Sequence, residues 1–530
     1  MRKLITISIL AISVVAIAQP NNYEEQVYLQ LNRTNLLVGE DLLFSAFVYS
    51  TNTKKLSSLS SILYLDLIDE NGTSVFRQKI GLRDGRGSGG IELDPSLSSG
   101  TYRLVAFTRW MKNFEAYFQE SILIFNPYNG IHKGRYIVGG AKRRKESEIE
   151  TSDKLPSLQP SEIIIDNVEA SSVSISISKS HLLYYDNQIS HAPPVEIESF
   201  EYLPEYKYGL IQGQVDVGSE EPKRINISIR GRSMQVKTAK TDETGRFWMY
   251  YNPEWADKVG YLISSEPGDL SLEYVSEYYD TYPETPIDSL LIDSALADEL
   301  VKRSVESQIE KVYESELIFE EVSDVNFLPF NAFIYKLAEY ERFTSMRDTF
   351  IELVPYVGVS KSEDNYKIIV RCNGVPDLYR EDEKPLILLD GVIVSNKDIL
   401  DLSPNDVERI EVLPEYYFLD DIYFNGVVSV HTVDKNLASV LPKGTPVQFA
   451  DYIPYTSKTV EIDLSNERLP NLASQVYWNP IVDHSGGDLR IKFNTPRQTG
   501  IFEIRINGLS KSGKAINISR FIEVQETSLN

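Results

Sequence analysis

Aromatic and acidic side chains cluster in the stretch EYYFLDDIY, which occupies residues 415–423. Its carboxylates offer the hard oxygen ligands that calcium prefers, but the twelve-residue order of an EF-hand loop is missing, so solvated loop carboxylates are the favoured interpretation. Tyrosines on a loop either hold it against a sheet or anchor an interface with a partner, and both interpretations stay open. The candidate partner-contact residues are Tyr416, Tyr417, Phe418, Asp420, Asp421 and Tyr423.

Nucleophiles and metal ligands are not arranged for catalysis in this sequence. The histidines stand at positions 132, 181, 191, 431 and 484, and neither H-x-x-x-H nor C-x-x-C spacing occurs, which argues against a zinc site. No G-x-S-x-G elbow nominates a serine nucleophile. Cys372 ends the β-like run KIIVRC and is interpreted as a core residue. We predict no catalytic, metal-binding or cofactor-binding residue and no enzyme, while a triad assembled from distant residues is left open.

One glycine-rich stretch has the letters of a nucleotide-binding motif. Residues 85–90, GRGSGG, satisfy G-x-G-x-x-G. The nucleotide interpretation requires a strand before these glycines and a helix after them, whereas IELDP follows with strand-like alternation. We therefore predict a flexible hairpin loop and reject dinucleotide binding.

The composition describes a long, acidic and β-rich chain. Its 530 residues exceed what one hydrophobic core supports, so several modules are expected. The 32 Tyr and 21 Phe against 4 Trp favour β structure, and a single cysteine excludes an intrachain disulfide. A formal net charge of −24 opposes binding to nucleic acid. Basic residues 142–145 are the local exception; a solvated linker is favoured over a contact with lipopolysaccharide phosphates.

Residues 1–18 have the features of a cleavable signal peptide. Arg2 and Lys3 precede an apolar run that ends in the small-x-small pattern AIA at residues 16–18. No cysteine follows to carry a lipid, and no later run reaches the ~18 apolar residues of a spanning helix, so no transmembrane segment is expected in the mature chain. We predict an exported protein that is periplasmic and peripherally associated with the outer membrane.

Residues 26–127 alternate between strand-like runs and turn residues, with a tight hairpin marked by Asn71 and Gly72. The segments VYLQLNRTNLLVGEDLLFSAFV and SSGTYRLVAFTRWMKNF resemble the macroglobulin-like β-sandwich of α2-macroglobulin-type proteins. Members of that family trap proteases through a thioester in a Cys-Gly-Glu-Gln motif. Here Cys372 is followed by NGV, so the resemblance implies a scaffold and not a protease trap.

Residues 128–206 are predicted to be a linker with a small β-rich segment, because polar stretches flank the alternating run SEIIIDNVEASSVSISISKS. Residues 207–275 are more regular. The runs YGLIQGQVDV, INISIRG and VKTAKTDETGRFWMYY resemble the carboxypeptidase-regulatory-like β-sandwich, with Gly213 after the first strand and a D-x-x-G-x-F turn from Asp242 to Phe247. The resemblance implies an accessory domain that brings no peptidase zinc site.

Residues 285–330 are predicted to form a helical connector. Thr285 offers an N-cap followed by proline, and helix-compatible residues continue to about Glu314. Packing of the apolar stripe on a neighbouring domain is favoured, with docking to a partner as the alternative. The stripe consists of Leu290, Leu300, Val305, Ile309 and Val312.

Residues 340–436 contain the runs PLILLDGVIV, PNDVERIEV and NGVVSV, preceded by a helix predicted to start at Thr344 and by a hairpin. These runs, with their turn at Asp390 and Gly391, resemble the plug domain of TonB-dependent outer-membrane receptors. Too few residues follow for the barrel of such a receptor. No TonB-box-like peptide precedes them, so TonB coupling is not expected. The resemblance implies a plug without its barrel, and hence a partner that is an outer-membrane β-barrel or a secretion or transport complex.

Residues 443–526 are predicted to form a C-terminal β-sandwich, with turns at residues 485–488 and 511–514. The runs YWNP and GIFEIRINGLSKSGK look like the terminal domain of exported Bacteroidota proteins that combine macroglobulin-like, regulatory-like and plug-like modules. The predicted fold class is therefore mainly β with a smaller α+β part: serial β-sandwich domains plus one plug-like α+β domain.

The functional expectation is a noncatalytic cell-envelope protein that binds an outer-membrane channel, transport or secretion complex through its plug-like domain. In its most specific version the chain occludes a translocation pore from the periplasmic side. The alternative is an adhesion or polysaccharide-binding protein of the cell surface that uses its β-sandwiches.

Overall fold

A computed structural model describes residues 24–129, 135–137, 141–143, 150–180, 183–185, 200–215, 222–229, 231, 233–256, 259–264, 272–283, 289–291, 294–313, 328, 331–362, 365–372, 384–420, 422–433, 445–457, 459–466 and 468–526. Serial β-sandwiches and one α+β unit make up these ranges, which confirms the predicted fold class. The predicted signal peptide lies outside them. Within them, no helix combines the length and the apolar character that crossing a membrane requires.

The first sandwich contains the strands β1 (Glu25–Leu31), β2 (Asn35–Leu37), β3 (Asp41–Ser50), β4 (Ile62–Ile68), β5 (Ser74–Gly81), β6 (Arg86–Glu92), β7 (Gly100–Phe107) and β8 (Phe118–Phe125). Its two sheets have the orders β1-β3-β6 and β2-β8-β7-β4-β5. Apolar side chains such as Phe44 and Leu104 fill the space between them. The predicted hairpin at Asn71 and Gly72 is confirmed, because it joins β4 to β5 with Gly72 at a φ of 79°.

The glycine-rich stretch is a strand, so the predicted flexible loop was wrong. Residues 86–92 form β6, which pairs with β3 along its whole length. A Cβ atom at Gly89 would lie 2.7 Å from the Phe44 ring, and one at Gly85 would lie 2.6 Å from two backbone oxygens. The glycines therefore serve close packing inside the sandwich, and a helix does not follow them.

Six strands are described after the first sandwich: β9 (Arg135–Ile137), β10 (Ala141–Arg143), β11 (Asp153–Pro156), β12 (Pro160–Val168), β13 (Ser171–Lys179) and β14 (Leu183–Tyr185). β10 pairs with β14, which places part of the basic run in a two-stranded sheet. The long strands β12 and β13 arise from the alternating run recognised in the sequence.

The second sandwich contains β15 (Gly209–Val215), β16 (Arg224–Ile229), β17 (Gln235–Lys240), β18 (Arg246–Tyr251), β19 (Val259–Ser264) and β20 (Leu272–Tyr274). Its sheets have the orders β18-β15-β20 and β17-β16-β19. The predicted turn at Asp242 is present: the Asp242 carboxylate accepts hydrogen bonds from the amides of Thr244 and Arg246. Phe247 is fully buried, and its ring packs directly over Gly213.

The helical connector begins later than predicted. Leu290 belongs to the short strand β21 (Ser289–Leu291), which pairs with β9, and helix α1 covers Ser294–Tyr313. The N-cap proposed at Thr285 lies outside the described residues. Strand pairing of the residues just before the helix is a tertiary interaction that local sequence signals do not report.

Most of the predicted apolar stripe is exposed and does not pack on a neighbouring domain. Val305 and Val312 are 51% and 80% exposed, whereas Leu300 is buried. Helix α1 is instead held by Arg303, whose guanidinium forms a buried ion pair with Glu40 of the first sandwich. The prediction was wrong for Val305 and Val312 because the buried side of α1 consists of Ala297, Leu300, Arg303 and Ser304 instead.

The α+β unit contains β22 (Phe333–Lys336), α2 (Met346–Leu353), β23 (Val357–Ser362), β24 (Asn365–Val370), β25 (Leu386–Leu389), β26 (Val392–Ile393), α3 (Asn396–Leu400), β27 (Val407–Leu419) and β28 (Ile422–Thr432). Its main sheet has the order β22-β27-β28-β25-β26, and β23 pairs with β24. Helix α2 is capped by Ser345, one residue after the predicted Thr344. Phe350 and Ile399 pack both helices onto the sheet.

The last strands are β29 (Thr445–Gln448), β30 (Asp451–Ile453), β31 (Val460–Glu461), β32 (Gln475–His484), β33 (Gly487–Asn494), β34 (Gly500–Ser510) and β35 (Ala515–Gln525). They do not form a sandwich by themselves. β12 pairs with β33, and β13 lies between β32 and β34. Segments 128–206 and 443–526 were predicted to be separate units. Their strands instead share one split sandwich.

The chain between the α+β unit and the split sandwich adds a strand to two other sheets. β29 pairs with β19 of the second sandwich, and β30 pairs in parallel with β5 of the first sandwich. Ser88 then donates a hydrogen bond to the carbonyl of Thr456. These pairings tie the sandwiches to one another through a single continuous segment.

Candidate functional site

The stretch predicted as a loop is the end of a long β-hairpin made by β27 and β28. Aromatic and β-branched residues favour extended backbone, and each of them finds a cross-strand partner here. The turn is irregular, with Asp420 at a φ of 52°, and the strand register also shifts between Leu413 and Tyr416. The paired positions are Tyr416 with Asn425, Tyr417 with Phe424, Phe418 with Tyr423 and Leu419 with Ile422.

Three aromatic side chains share one exposed side of this hairpin. Tyr416, Phe418 and Tyr423 are 37%, 73% and 43% exposed. The ring of Tyr423 lies 6.4 Å, centroid to centroid, from each of the other two rings. Cross-strand partners and residues two apart lie on the same face of a sheet, which accounts for this grouping. We call these three residues the hairpin face.

The opposite side of the hairpin is an internal contact. Tyr417 and Phe424 are partly buried and pack against an apolar cluster that includes Leu419 and, from the second sandwich, Val236. Burial, and secondarily the charge of Asp420, raises the pKa of Tyr417. Tyr417 therefore holds the hairpin in place, which was the alternative role considered for these tyrosines.

Asp420 fixes the hairpin turn to the second sandwich. Its carboxylate accepts a hydrogen bond from the backbone N–H of Thr238 at 2.9 Å, and the Lys237 ammonium lies 3.9 Å away. Asp421 lies outside the described residues. Of the six candidate contact residues, the structure thus brings Tyr416, Phe418 and Tyr423 together on an exposed face and places Tyr417 and Asp420 in internal contacts.

One constellation in the same unit has the residue types of a catalytic triad but not its geometry. Ser429 Oγ lies 3.1 Å from His431 Nε2, and Glu411 Oε1 lies 3.4 Å from that same nitrogen. A triad needs the serine and the acid on different ring nitrogens, so that the acid orients the base while the base accepts the serine proton. Burial opposes ionisation of Glu411, but contacts with His431 and Arg409 hold its pKa below the usual value.

Two of the carboxylates considered for calcium, Glu415 and Asp420, are engaged in other contacts, and the third, Asp421, lies outside the described residues. Glu415 accepts a hydrogen bond from the Asn331 side-chain amide at 3.1 Å, and Asp420 accepts one from the backbone N–H of Thr238. Across the described ranges, no group of three His, Cys, Asp or Glu side chains is arranged to hold a metal ion. Cys372 is partly buried and packs against the core of the α+β unit, as its core interpretation predicts.

A second cluster of ionisable side chains is buried where the first and second sandwiches meet. No sequence pattern predicted it. Lys79 of β5 donates hydrogen bonds to Tyr251 of β18 and to Glu277, each at 2.6 Å. Tyr64 of β4 lies 2.8 and 2.9 Å from the two carboxylate oxygens of Glu205. We call the whole cluster the polar joint; its members are Tyr64, Lys79, Arg109, Glu205, Tyr251 and Glu277, and each is almost fully buried.

Among the described residues, the polar joint contains one direct ion pair, and its other carboxyl group, that of Glu205, has no cation in direct contact. Lys79 and Glu277 pair at 2.5 Å. Arg109 donates to Gln212 at 2.8 Å, and among the described residues neither its Nε nor its Nη1 has a hydrogen-bond partner. Burial is the main cause that raises the pKa of Tyr64 well above its ordinary value, and the charge of Glu205 is the second cause. The Tyr64 phenol therefore stays neutral.

No local sequence signal marks the polar joint. Its members come from two sandwiches and are separated by up to about two hundred residues, with no motif spacing between them. Even Lys79 does not stand out, because its strand β5, SVFRQKIG, also contains Arg77 and Gln78, and only the fold makes it a buried lysine. Such a residue requires a buried partner, although the sequence does not identify it.

Comparisons with known proteins stop at weak structural similarity. No protein-family model matches the chain, and no curated protein matches it by sequence. A mutant of Salmonella alpha-2-macroglobulin is 7% identical, with 98% of this chain and 40% of that one covered and a TM-score of 0.24. Native alpha-2-macroglobulin of Escherichia coli is 12% identical, with 95% and 22% covered and a TM-score of 0.17. Dimeric latent PorU from Porphyromonas gingivalis is 9% identical, with 51% and 34% covered and a TM-score of 0.17.

This chain spans less than half the length of each of these three structures. All three TM-scores also lie far below 0.5. What the chain does must therefore be inferred from its own residues.

Proposed function

We propose that this chain is a noncatalytic exported protein of the cell envelope, peripherally associated with the outer membrane on its periplasmic side. Its α+β unit, which resembles a receptor plug in sequence, binds an outer-membrane β-barrel channel, transport or secretion complex. The hairpin face makes the contact. In the most specific form of the proposal, the bound unit occludes a translocation pore.

The observation that carries the proposal is the exposure of three aromatic rings on one rigid hairpin. Large aromatic side chains are the residues that most often anchor protein interfaces, because they bury much apolar area with few rotatable bonds. Phe418 is 73% exposed, and its ring lies with those of Tyr423 and Tyr416 in one aromatic patch, which is more informative than a single exposed ring.

Rigidity strengthens this interpretation. The inner side of the hairpin packs through Tyr417, and its turn is bonded to Thr238, so the exposed rings are held in a defined arrangement. A preorganised surface loses little conformational entropy when it binds. The hairpin face therefore has both the chemistry and the order of a contact surface.

Site-specific photo-cross-linking in living cells tests the proposal. A photoreactive phenylalanine analogue at position 418 is expected to form an adduct with an outer-membrane β-barrel protein, identified by mass spectrometry. The same analogue at Tyr366 is the matched control, because Tyr366 is an aromatic residue of the same unit that is 40% exposed but lies on β24.

Adducts at position 418 without any barrel protein, or equal barrel adducts at both positions, would contradict the proposal. Retention of the purified chain on glycan columns, together with surface labelling in intact cells, would favour the polysaccharide-binding alternative. The pore version makes a separate prediction. Deleting the gene should make the outer membrane permeable to large antibiotics, and the triple alanine variant of the hairpin face should fail to restore the barrier.

A further inference from the structure

Glu205 occupies an unusual position in the polar joint. It is fully buried at the start of the second sandwich, and its backbone carbonyl accepts hydrogen bonds from Ser61 of the first sandwich at 2.7 Å. Its carboxyl group contacts the Tyr64 hydroxyl and the backbone N–H of Leu210, the latter at 2.9 Å. The residue thus connects the two sandwiches through both its backbone and its side chain.

Among the described residues, this carboxyl group has two hydrogen-bond donors, the Tyr64 phenol and the Leu210 amide, and no cation in direct contact. Neither contact is an ion pair, and one phenol and one amide compensate poorly for the lost hydration of a buried charge. Burial is the main cause that raises the pKa of Glu205 to about 7, from an ordinary value of 4.5.

Some charged groups around Glu205 raise its pKa and others lower it. Arg109 and Lys79 of the first sandwich favour its ionised form, with Arg109 the stronger influence, whereas Glu277 opposes it. Arg109, the cation with the stronger influence on Glu205, donates a hydrogen bond to Gln212. The titratable groups facing Glu205 are Tyr64 and Lys79 from β4 and β5, Arg109 from the segment after β7, Tyr251, Tyr274 and Glu277 from the second sandwich, and Tyr452 from β30.

We infer that Glu205 makes the polar joint sensitive to protons: the neutral acid holds the two sandwiches together, and its ionisation loosens them. The second sandwich also holds the hairpin turn through Thr238. The protonation state of Glu205 therefore sets how firmly the hairpin face is positioned relative to the first sandwich. This inference does not depend on which partner the hairpin face binds.

The direction of the effect follows from proton linkage. The joined state keeps a proton on Glu205 up to about pH 7, whereas the exposed carboxyl of an opened joint loses it near 4.5. Stabilisation by the neutral acid is therefore complete at low pH and is lost as the pH rises through this window. For one such group, the equilibrium constant for opening rises about 20-fold between about pH 5.5 and about pH 7.5.

Hydrogen exchange of the full chain measures this opening. The amides of β15, which include the Leu210 amide bonded to Glu205, are expected to lose protection by roughly 20-fold over that pH range, after correction for intrinsic exchange. In Glu205→Gln, which carries no titrating proton, the corrected protection should stay constant. Glu243→Gln, an exposed carboxyl of the same sandwich, should behave like the unaltered chain.

Equal pH dependence in the unaltered chain and in Glu205→Gln would overturn the inference, as would no pH dependence in either. If Glu205→Gln fails to fold, infrared spectroscopy of the unaltered chain decides instead. A carbonyl band of a protonated, buried carboxyl should be present at about pH 5.5 and should disappear by about pH 8. Its absence at the lower pH would also overturn the inference.

Discussion

The hairpin face and the polar joint are built from similar residue types in opposite surroundings. Both combine tyrosines with nearby carboxylates. In the joint, Tyr64 and Tyr251 are buried and hydrogen bonded to glutamates, with a lysine beside them. On the hairpin face, Tyr416 and Tyr423 keep much of their surface in solvent, next to an exposed Phe418.

Burial decides the role of these side chains. A buried phenol or carboxylate must have partners in the chain, so the joint is an internal connection whose loss destabilises the fold. Exposed aromatic rings contribute little to folding, and their chemistry is directed outward. The two regions should therefore respond oppositely to mutation: the joint in stability, and the hairpin face in partner binding.

Glu277→Ala should have the largest effect on stability. It leaves the Lys79 ammonium buried without its carboxylate, and removing one member of a buried ion pair costs about 3–5 kcal/mol. Urea unfolding monitored by circular dichroism measures the free energy of unfolding. The double variant Lys79→Met with Glu277→Leu is the control and should recover much of the loss, since no unpaired charge remains. A loss below about 1 kcal/mol in the single variant would remove the distinction between the two regions.

Neighbouring aromatic residues on the two sides of the hairpin provide a sharper comparison. Tyr417→Ala should lower the free energy of unfolding by about 1–3 kcal/mol, because it removes a ring that packs against the second sandwich. Phe418→Ala should change it by less than about 0.5 kcal/mol and should instead reduce the amount of barrel partner that co-purifies with the chain. Equal destabilisation by both substitutions would show that the exposed ring is a folding element.

Asp420→Ala should lower the free energy of unfolding by about 1 kcal/mol, the smallest loss among the substitutions expected to destabilise the chain, because it removes the hydrogen bond to Thr238. Hydrogen exchange of the β17 amides reports the loosening directly. Asp420→Asn is the matched control, because asparagine tolerates the positive φ and its side-chain oxygen accepts the same hydrogen bond. If the alanine and asparagine variants were equally protected, the carboxylate would not anchor the turn.

Local features of the fold were predictable from short stretches of sequence. The hairpin at Gly72, the turn that follows Asp242 and the cap at Ser345 all rest on contacts among residues a few positions apart. The type of each residue determines whether its side chain can make such a local hydrogen bond or adopt a positive φ value. The position of the aromatic hairpin was likewise identified, although its end was interpreted as a loop.

Pairings between distant segments were not predictable in the same way. Strand β13 has apolar alternation that suits any sheet, and only the folded chain shows it between β32 and β34. The prediction for α1 failed for a related reason: its apolar stripe was assumed to be the packed face, whereas the buried face includes Arg303, which pairs with the distant Glu40.

By itself, the sequence determined the mainly β class, the turns and the choice of an aromatic segment as the candidate contact, because side-chain alternation and turn chemistry act over a few residues. Only the tertiary structure decided which of those aromatics face solvent. It also decided that Lys79, Glu205 and Glu277 meet in one buried joint. Burial and charge pairing depend on which distant strands pack together, and a linear pattern does not specify that arrangement.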